Sequence, residues 1–387
     1  MMKFKHSGLY CITALLLMGA VETGHAVENI DFSGYFTLKG TYADNETSNG
    51  TGPTGYRRGY ADDRINWDTR DTRVGLQATA EVSPKLDMTL VIQGNGGAND
   101  QYNMAATWAY AGYALTDNLT VRLGKVKGPF YMVSDYIEVG YAYPWVTPPM
   151  EVYSTNPMKS LTGIDLVYRT DVAGLNFLFE LYTGSGNHKA TVLPSFADNS
   201  TYNTGDVVNF STHNMVGFNT SIGAEGITFR LGYFTTKVVV PAFVSMDPAL
   251  GTGVNGAFGG AGLIVDWRNL VVYSEYIVRN TAPSLEGAFP DQHAYYLTLG
   301  YRFGDFLPYA TYANMDKGQD DSAYAMVQSS VALGLRYEVG DTSTVKFEVL
   351  QAKADADSTD KGKYGLFDSP VKDNTGNVVS LSYDLIF

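Results

Sequence analysis

The chain ends VSLSYDLIF, residues 379–387, where Val379, Leu381, Tyr383, Leu385 and Phe387 alternate with Ser380, Ser382, Asp384 and Ile386. Successive residues of a strand point to opposite faces, so one face of this segment stays apolar up to an aromatic carboxyl terminus. The last residues of a soluble domain are usually polar and frayed. A closed barrel in a bilayer instead pairs every strand and keeps its lipid-facing positions apolar to the end. The terminal strand therefore predicts an outer-membrane barrel.

The other end of the sequence agrees. Lys3 and Lys5 precede an apolar run from Gly8 to Val21, and Gly24-His25-Ala26 offers the small residues of a cleavage site, so residues 1–26 read as a secretory signal peptide. The apolar run, 14 residues long, is too short to span a bilayer as a helix. Cleavage after Ala26 leaves residues 27–387 as the expected barrel. The only cysteine, Cys11, lies in the leader, which excludes disulfide and thiolate chemistry from the mature chain. Without Lys3, Lys5 and Glu22 the chain keeps 25 basic against 39 acidic residues, a balance that argues against nucleic acid as a partner. Its 41 glycines and 28 tyrosines suit a wall with apolar residues at alternate positions and aromatic girdles at the interfaces. Tyr113, Tyr301, Tyr337 and Tyr383 are the expected girdle residues.

Period-two segments recur along the whole chain. Clear ones are Val74, Leu76, Ala78, Ala80, Val82; Leu175, Phe177, Phe179, Leu181; and Tyr295, Leu297, Leu299, Tyr301, Phe303. A ten-residue strand rising about 3.3 Å per residue and tilted about 40° covers roughly 25 Å, the height of a barrel's apolar band. Short turns are expected at Ser83-Pro84, Thr116 to Asn118, Asp171 to Gly174, Ala224 to Gly226, Arg268-Asn269, Gly304-Asp305 and Gly340-Asp341. Longer polar segments fall between them at about 44–69, 95–102, 128–160, 185–213, 239–256, 281–292, 316–324 and 354–376. Seven turns and eight loops join 16 antiparallel strands with both termini on the short-turn side. Barrels of 16 to 18 strands enclose a channel, whereas eight-stranded ones fill with side chains.

The segment 128–160, GPFYMVSDYIEVGYAYPWVTPPMEVYSTNPMKS, carries five prolines and many aromatic side chains, together with Asp135, Glu138 and Glu151. Tyr131, Tyr136, Tyr141, Tyr143, Trp145 and Tyr153 need a surface to pack on, and folding back into the barrel supplies one. With this loop, the leader, the 16 segments and the terminal phenylalanine strand, the chain resembles the general Gram-negative porin family over essentially its whole mature length. The YAYPWVTPP stretch is not a hallmark of the best-known members. The resemblance implies a homotrimer, a third loop that constricts the lumen, and acids on that loop facing basic residues on the wall. The positions available here are Arg70, Arg73, Arg122, Lys125 and Lys127 on the basic side and Asp135, Glu138 and Glu151 on the loop. It also implies that the terminal strand, through Tyr383, Leu385 and Phe387, is presented to the barrel assembly machinery. Strand alternation puts Arg73 and Arg122 on the polar face, whereas Lys125 and Lys127 share parity with Leu123 and need a bulge near Gly124 or a rim position.

No catalytic residue, metal or cofactor is expected. Outside the leader only His188, His213 and His293 remain, and none of them pair at metal-ligand spacing. Two functions follow from the reading: a water-filled pore for passive diffusion of small hydrophilic solutes and ions, or a loop-sealed barrel acting as adhesion protein, receptor or scaffold. Outer-membrane lipid and lipopolysaccharide surround either. Opposed charges across a narrow aqueous gap orient dipolar solutes and disfavour apolar ones.

Overall fold

The computed structural model describes residues 29–50, 54–56, 63–67, 71–95, 103–191, 207–245, 247–319, 324–355 and 364–387. Residues 1–26, the expected leader, and Arg70 lie outside the described residues. Sixteen strands run in chain order: β1 Asn29–Tyr42, β2 Arg73–Ser83, β3 Leu86–Asn95, β4 Asn103–Ala114, β5 Leu119–Lys127, β6 Ser160–Val172, β7 Leu175–Thr191, β8 Val207–Ala224, β9 Ile227–Val239, β10 Val254–Trp267, β11 Leu270–Thr281, β12 Gln292–Tyr301, β13 Phe306–Lys317, β14 Gln328–Glu338, β15 Ser343–Ala354 and β16 Thr375–Ile386. Each pairs antiparallel with its neighbours in sequence, and β1 closes on β16. No described helix is long and apolar enough to cross a membrane; the strands are the candidates for that task.

Alternation decides which way each side chain points. On β9, Ile227, Phe229, Leu231 and Tyr233 are exposed on the outer face while Arg230, Phe234 and Thr236 are buried on the inner one. On β16, Val379, Leu381 and Tyr383 face outward and Ser380, Ser382 and Asp384 inward. At the seam Leu38 lies opposite Tyr383 and Phe36 opposite Leu385, and Gly34 and Phe387 exchange backbone hydrogen bonds of 2.7 and 3.0 Å. Tyr113, Tyr301, Tyr337 and Tyr383 are all exposed near the short-turn ends of their strands, as an interfacial girdle requires.

The short turns are those expected. Ala173-Gly174 and Glu225-Gly226 both place two successive residues at positive φ, the geometry whose twist matches two paired strands. One loop differs: strand occupies both ends of the expected segment 185–213, because β7 continues to Thr191 and β8 starts at Val207. Their outer residues there, such as Asn187, Lys189 and Asn209, are polar, so the hydrophobic signal fades while the backbone ladder continues.

The segment between β5 and β6 folds into the barrel and forms its interior core. It contains two short 3₁₀ turns, Ser134–Tyr136 and Gly140–Ala142, and a one-turn helix, Met150–Tyr153. Trp145 is buried with its ring centroid 4.9 Å from that of Tyr273 and 5.5 Å from that of Tyr296. Its indole N–H donates to the hydroxyls of Thr298 at 2.8 Å and Thr311 at 3.2 Å. Tyr131 packs on Phe258, and Phe130 on Phe234. The aromatic mass noted in the sequence is therefore matched by inward aromatics of β9 to β12.

Candidate functional site

A loop buried in a barrel brings carbonyl groups that need hydrogen-bond donors. Inward cations from the wall supply them. Arg336 Nη1 donates to the carbonyls of Tyr141 at 2.6 Å and Tyr143 at 3.0 Å. Lys346 Nζ donates to the Gly140 and Trp145 carbonyls, Arg230 to Pro129 and Arg279 to Thr155. In the opposite sense, Glu275 Oε1 accepts the Met132 N–H at 2.7 Å. Gly140 packs so close to Asp384 and Thr37 that a Cβ there would collide with their side chains unless they moved. None of these wall anchors was singled out from the sequence, because an inward lysine or arginine looks the same whether it faces water or a carbonyl.

The expected basic wall is divided among several tasks. Arg73 is on the inner face, buried, and its Nη2 donates to the Tyr143 hydroxyl at 3.1 Å; it supports the loop from behind. Arg122 is also on the inner face, beneath the Tyr110 ring, and is held by two acids of the neighbouring strands, Asp165 and Glu180. Asn219 donates to the second Glu180 oxygen at 3.0 Å. Lys125 departs from the expected position. It pairs with Ala109 and Thr162 in the outward register of Leu123 and Ile164, Gly124 beside it has φ +133°, and its Nζ donates to the Ala106 carbonyl at 2.7 Å. Lys127 ends β5 beyond the last β4 pair, which frees its side chain to turn inward. It is buried against Glu138, with its Nζ 6.0 Å from the Trp108 ring centroid.

The loop acids separate in the same way. Asp135 is exposed, forms no close ion pair among the described residues, and lies within electrostatic range of Lys127, Asp165 and Glu180. Glu138 is buried on Lys127. Glu151 departs from the expectation of a water-lining acid: it is fully buried under the loop, where Gln328 Nε2 donates to its Oε1 at 2.7 Å and Ser330 lies beside it. Loss of hydration on burial pushes its carboxyl above the usual range, partly offset by those hydrogen bonds. The aromatic and proline residues that put the loop inside the barrel thus carry one acid into the core and leave another facing water.

Between the loop and the first strands lies a cavity of about 410 Å³. Lys127, Asp135 and Glu138 line it, with Tyr35, Gln77 and Trp108 on the wall side. Charged groups of both signs and aromatic edges around an aqueous gap fit a passage for small polar species. Among the described residues, no group of three or more His, Cys, Asp or Glu side chains is placed to hold a metal ion.

No curated protein sequence matches the chain. Solved structures share its fold. An anion-selective porin from Comamonas acidovorans is 14% identical, with a TM-score of 0.58 over 93% of this chain and 99% of that one. The trimer form of in-vitro folded OmpT from Vibrio cholerae is 12% identical, with a TM-score of 0.53 over 93% of this chain and 99% of that one. OmpF of Salmonella typhi in complex with daunomycin is 12% identical, with a TM-score of 0.56 over 92% and 97%. The sequence model of Gram-negative porins matches residues 13–358, most of the chain. With that match on a closed 16-stranded barrel, the chain belongs to the Gram-negative porin family.

Proposed function

We propose that small hydrophilic solutes and ions pass between the inward loop and the wall of β1 to β5, at a constriction carrying Arg122, Lys127, Asp135 and Glu138. As a Gram-negative porin the chain is an outer-membrane channel for passive diffusion. The observation that carries the finer reading is the cavity beside the loop, with Asp135 exposed in it. The channel is non-catalytic and favours cations. Arg122 is held by two carboxylates, Lys127 by Glu138, and Arg73 stands behind Tyr143, so Asp135 is the charge left open to water. The functional unit is a homotrimer, and Tyr383, Leu385 and Phe387 present the last strand to the assembly machinery.

The test is the reversal potential of the reconstituted channel under a steep KCl gradient. A carboxylate about 6 Å from the ion path favours a cation and disfavours an anion by roughly 0.7 kcal/mol each in water, about half of that after salt screening, so Asp135→Asn is expected to lower the cation-to-anion permeability ratio about threefold. An unchanged ratio removes Asp135 from the constriction. A folded barrel that conducts nothing refutes the diffusion reading and favours a sealed barrel with a binding role.

A further inference from the structure

Gln328 is the first residue of β14, and its side chain is buried. Its amide joins three separate loops. Nε2 donates to the Tyr56 hydroxyl at 2.8 Å, in the loop after β1, and to Glu151 Oε1 at 2.7 Å, in the loop that fills the barrel. Oε1 accepts the Leu366 N–H at 2.9 Å, in the loop before β16. Both amide protons and the carbonyl are thus used, and the orientation of the amide follows from its partners, because Leu366 N–H can only donate. Gly365, at φ +53°, makes room for it: a Cβ there would meet Gln328 Oε1 at 2.6 Å.

The first and last loops also hold each other. Thr47 bridges Val371, Ser48 N–H donates to the Pro370 carbonyl at 2.9 Å, and the Tyr56 ring packs edge-on against Phe367 at 5.1 Å. Lys372 pairs with Glu46 at 2.8 Å. Tyr56, Glu151 and Phe367 are all buried where these loops meet β14. We propose that Gln328 is a positioning residue for the channel: through this one amide the constriction loop is tied to the clasp formed by the first and last loops, so that the three keep one arrangement while solutes pass. The inference rests on the diffusion reading above.

Gln328→Glu keeps the side-chain volume but sets a carboxylate against Glu151. Gln328→Glu with Glu151→Gln restores the bond in the opposite sense, since the new amide at 151 donates to the new carboxylate at 328 and both Tyr56 and Leu366 can still donate. A hydrogen bond that involves a charged group is worth enough to change an opening equilibrium about tenfold. The experiment records single channels of the parent, the single variant and the exchanged pair, each first shown to be folded by heat-modifiable migration. The single variant is expected to close about tenfold more often, and the exchanged pair to return to the parent's rate. A disulfide in Thr47→Cys/Val371→Cys, made with Cys11, the one natural cysteine, replaced by serine, is expected to suppress the closures of the single variant. Closure rates and open-channel noise equal to the parent's in folded Gln328→Glu overturn the proposal, and so does an exchanged pair as unstable as the single variant. A parent that never conducts refutes the diffusion reading instead, so the two failures are distinguishable.

Discussion

Arg122→Ala removes the cation that Asp165 and Glu180 share. The side chains of the two acids are 1% and 8% exposed and that of Arg122 is 22% exposed. Breaking a buried ion pair from one side typically costs about 3–5 kcal/mol, because the remaining charge stays desolvated without its partner. The partial access of Arg122 to lumenal water puts the expected loss near the low end, about 3 kcal/mol. Asn219 still donates to Glu180, which leaves Asp165 as the worse-placed acid. The assay is reversible guanidinium unfolding of the reconstituted barrel, followed by tryptophan fluorescence. Arg122→Ala/Asp165→Asn/Glu180→Gln serves as the control: it removes all three charges and is expected to recover most of the loss. The same preparations report on conduction. Replacing one guanidinium against two carboxylates by two unopposed carboxylates should also raise cation preference. A single variant within about 0.5 kcal/mol of the parent, or a triple variant no better than the single one, refutes the argument that the network is charge-balanced and desolvated.

Glu151→Gln tests the buried acid. A carboxyl whose pKa is higher in the folded state binds its proton more tightly there, so stability is greatest at acidic pH, falls as pH rises from the unfolded pKa to the folded one, and is level above it. The variant should lack this decline and, above the folded pKa, be at least as stable as the parent; pH-dependent unfolding midpoints check it, and a parallel decline in both proteins counts against the assignment. Deleting Phe387 removes the backbone pair with Gly34 and the last outward aromatic of the seam. Reduced yield of folded protein in outer-membrane fractions is expected, and normal assembly would show that the terminal residue is dispensable.

The barrel was legible because its two signals are local. Lipid on one side imposes period two, so Leu175, Phe177, Phe179 and Leu181 announce β7 without knowledge of its neighbours, and turn residues such as those from Asp171 to Gly174 mark the connections. The polar tops of β7 and β8 were not legible, since beyond the apolar band the backbone pairs without any demand on side-chain polarity. The site was legible by face and not by partner. Alternation put Arg73 and Arg122 inside; that one would support Tyr143 and the other bind Asp165 and Glu180 depends on register across strands far apart in sequence. Glu151 and Asp135 sit in one loop with similar local surroundings, and only the path of the loop sends one into the core.

The inward loop is held from both sides of the place where the barrel closes. Lys39 of β1 reaches Thr147, Arg73 of β2 reaches Tyr143, Lys346 of β15 reaches Gly140 and Trp145, and Thr37 of β1 donates to Asp384 of β16 directly beside Gly140. A chain that emerges with β1 first and β16 last completes this set of bonds only when its two ends meet. The loop thus adds side-chain bonds on both sides of the seam to the backbone ladder that closes it, so the first and last strands are held together by the barrel's contents as well as by their own edges.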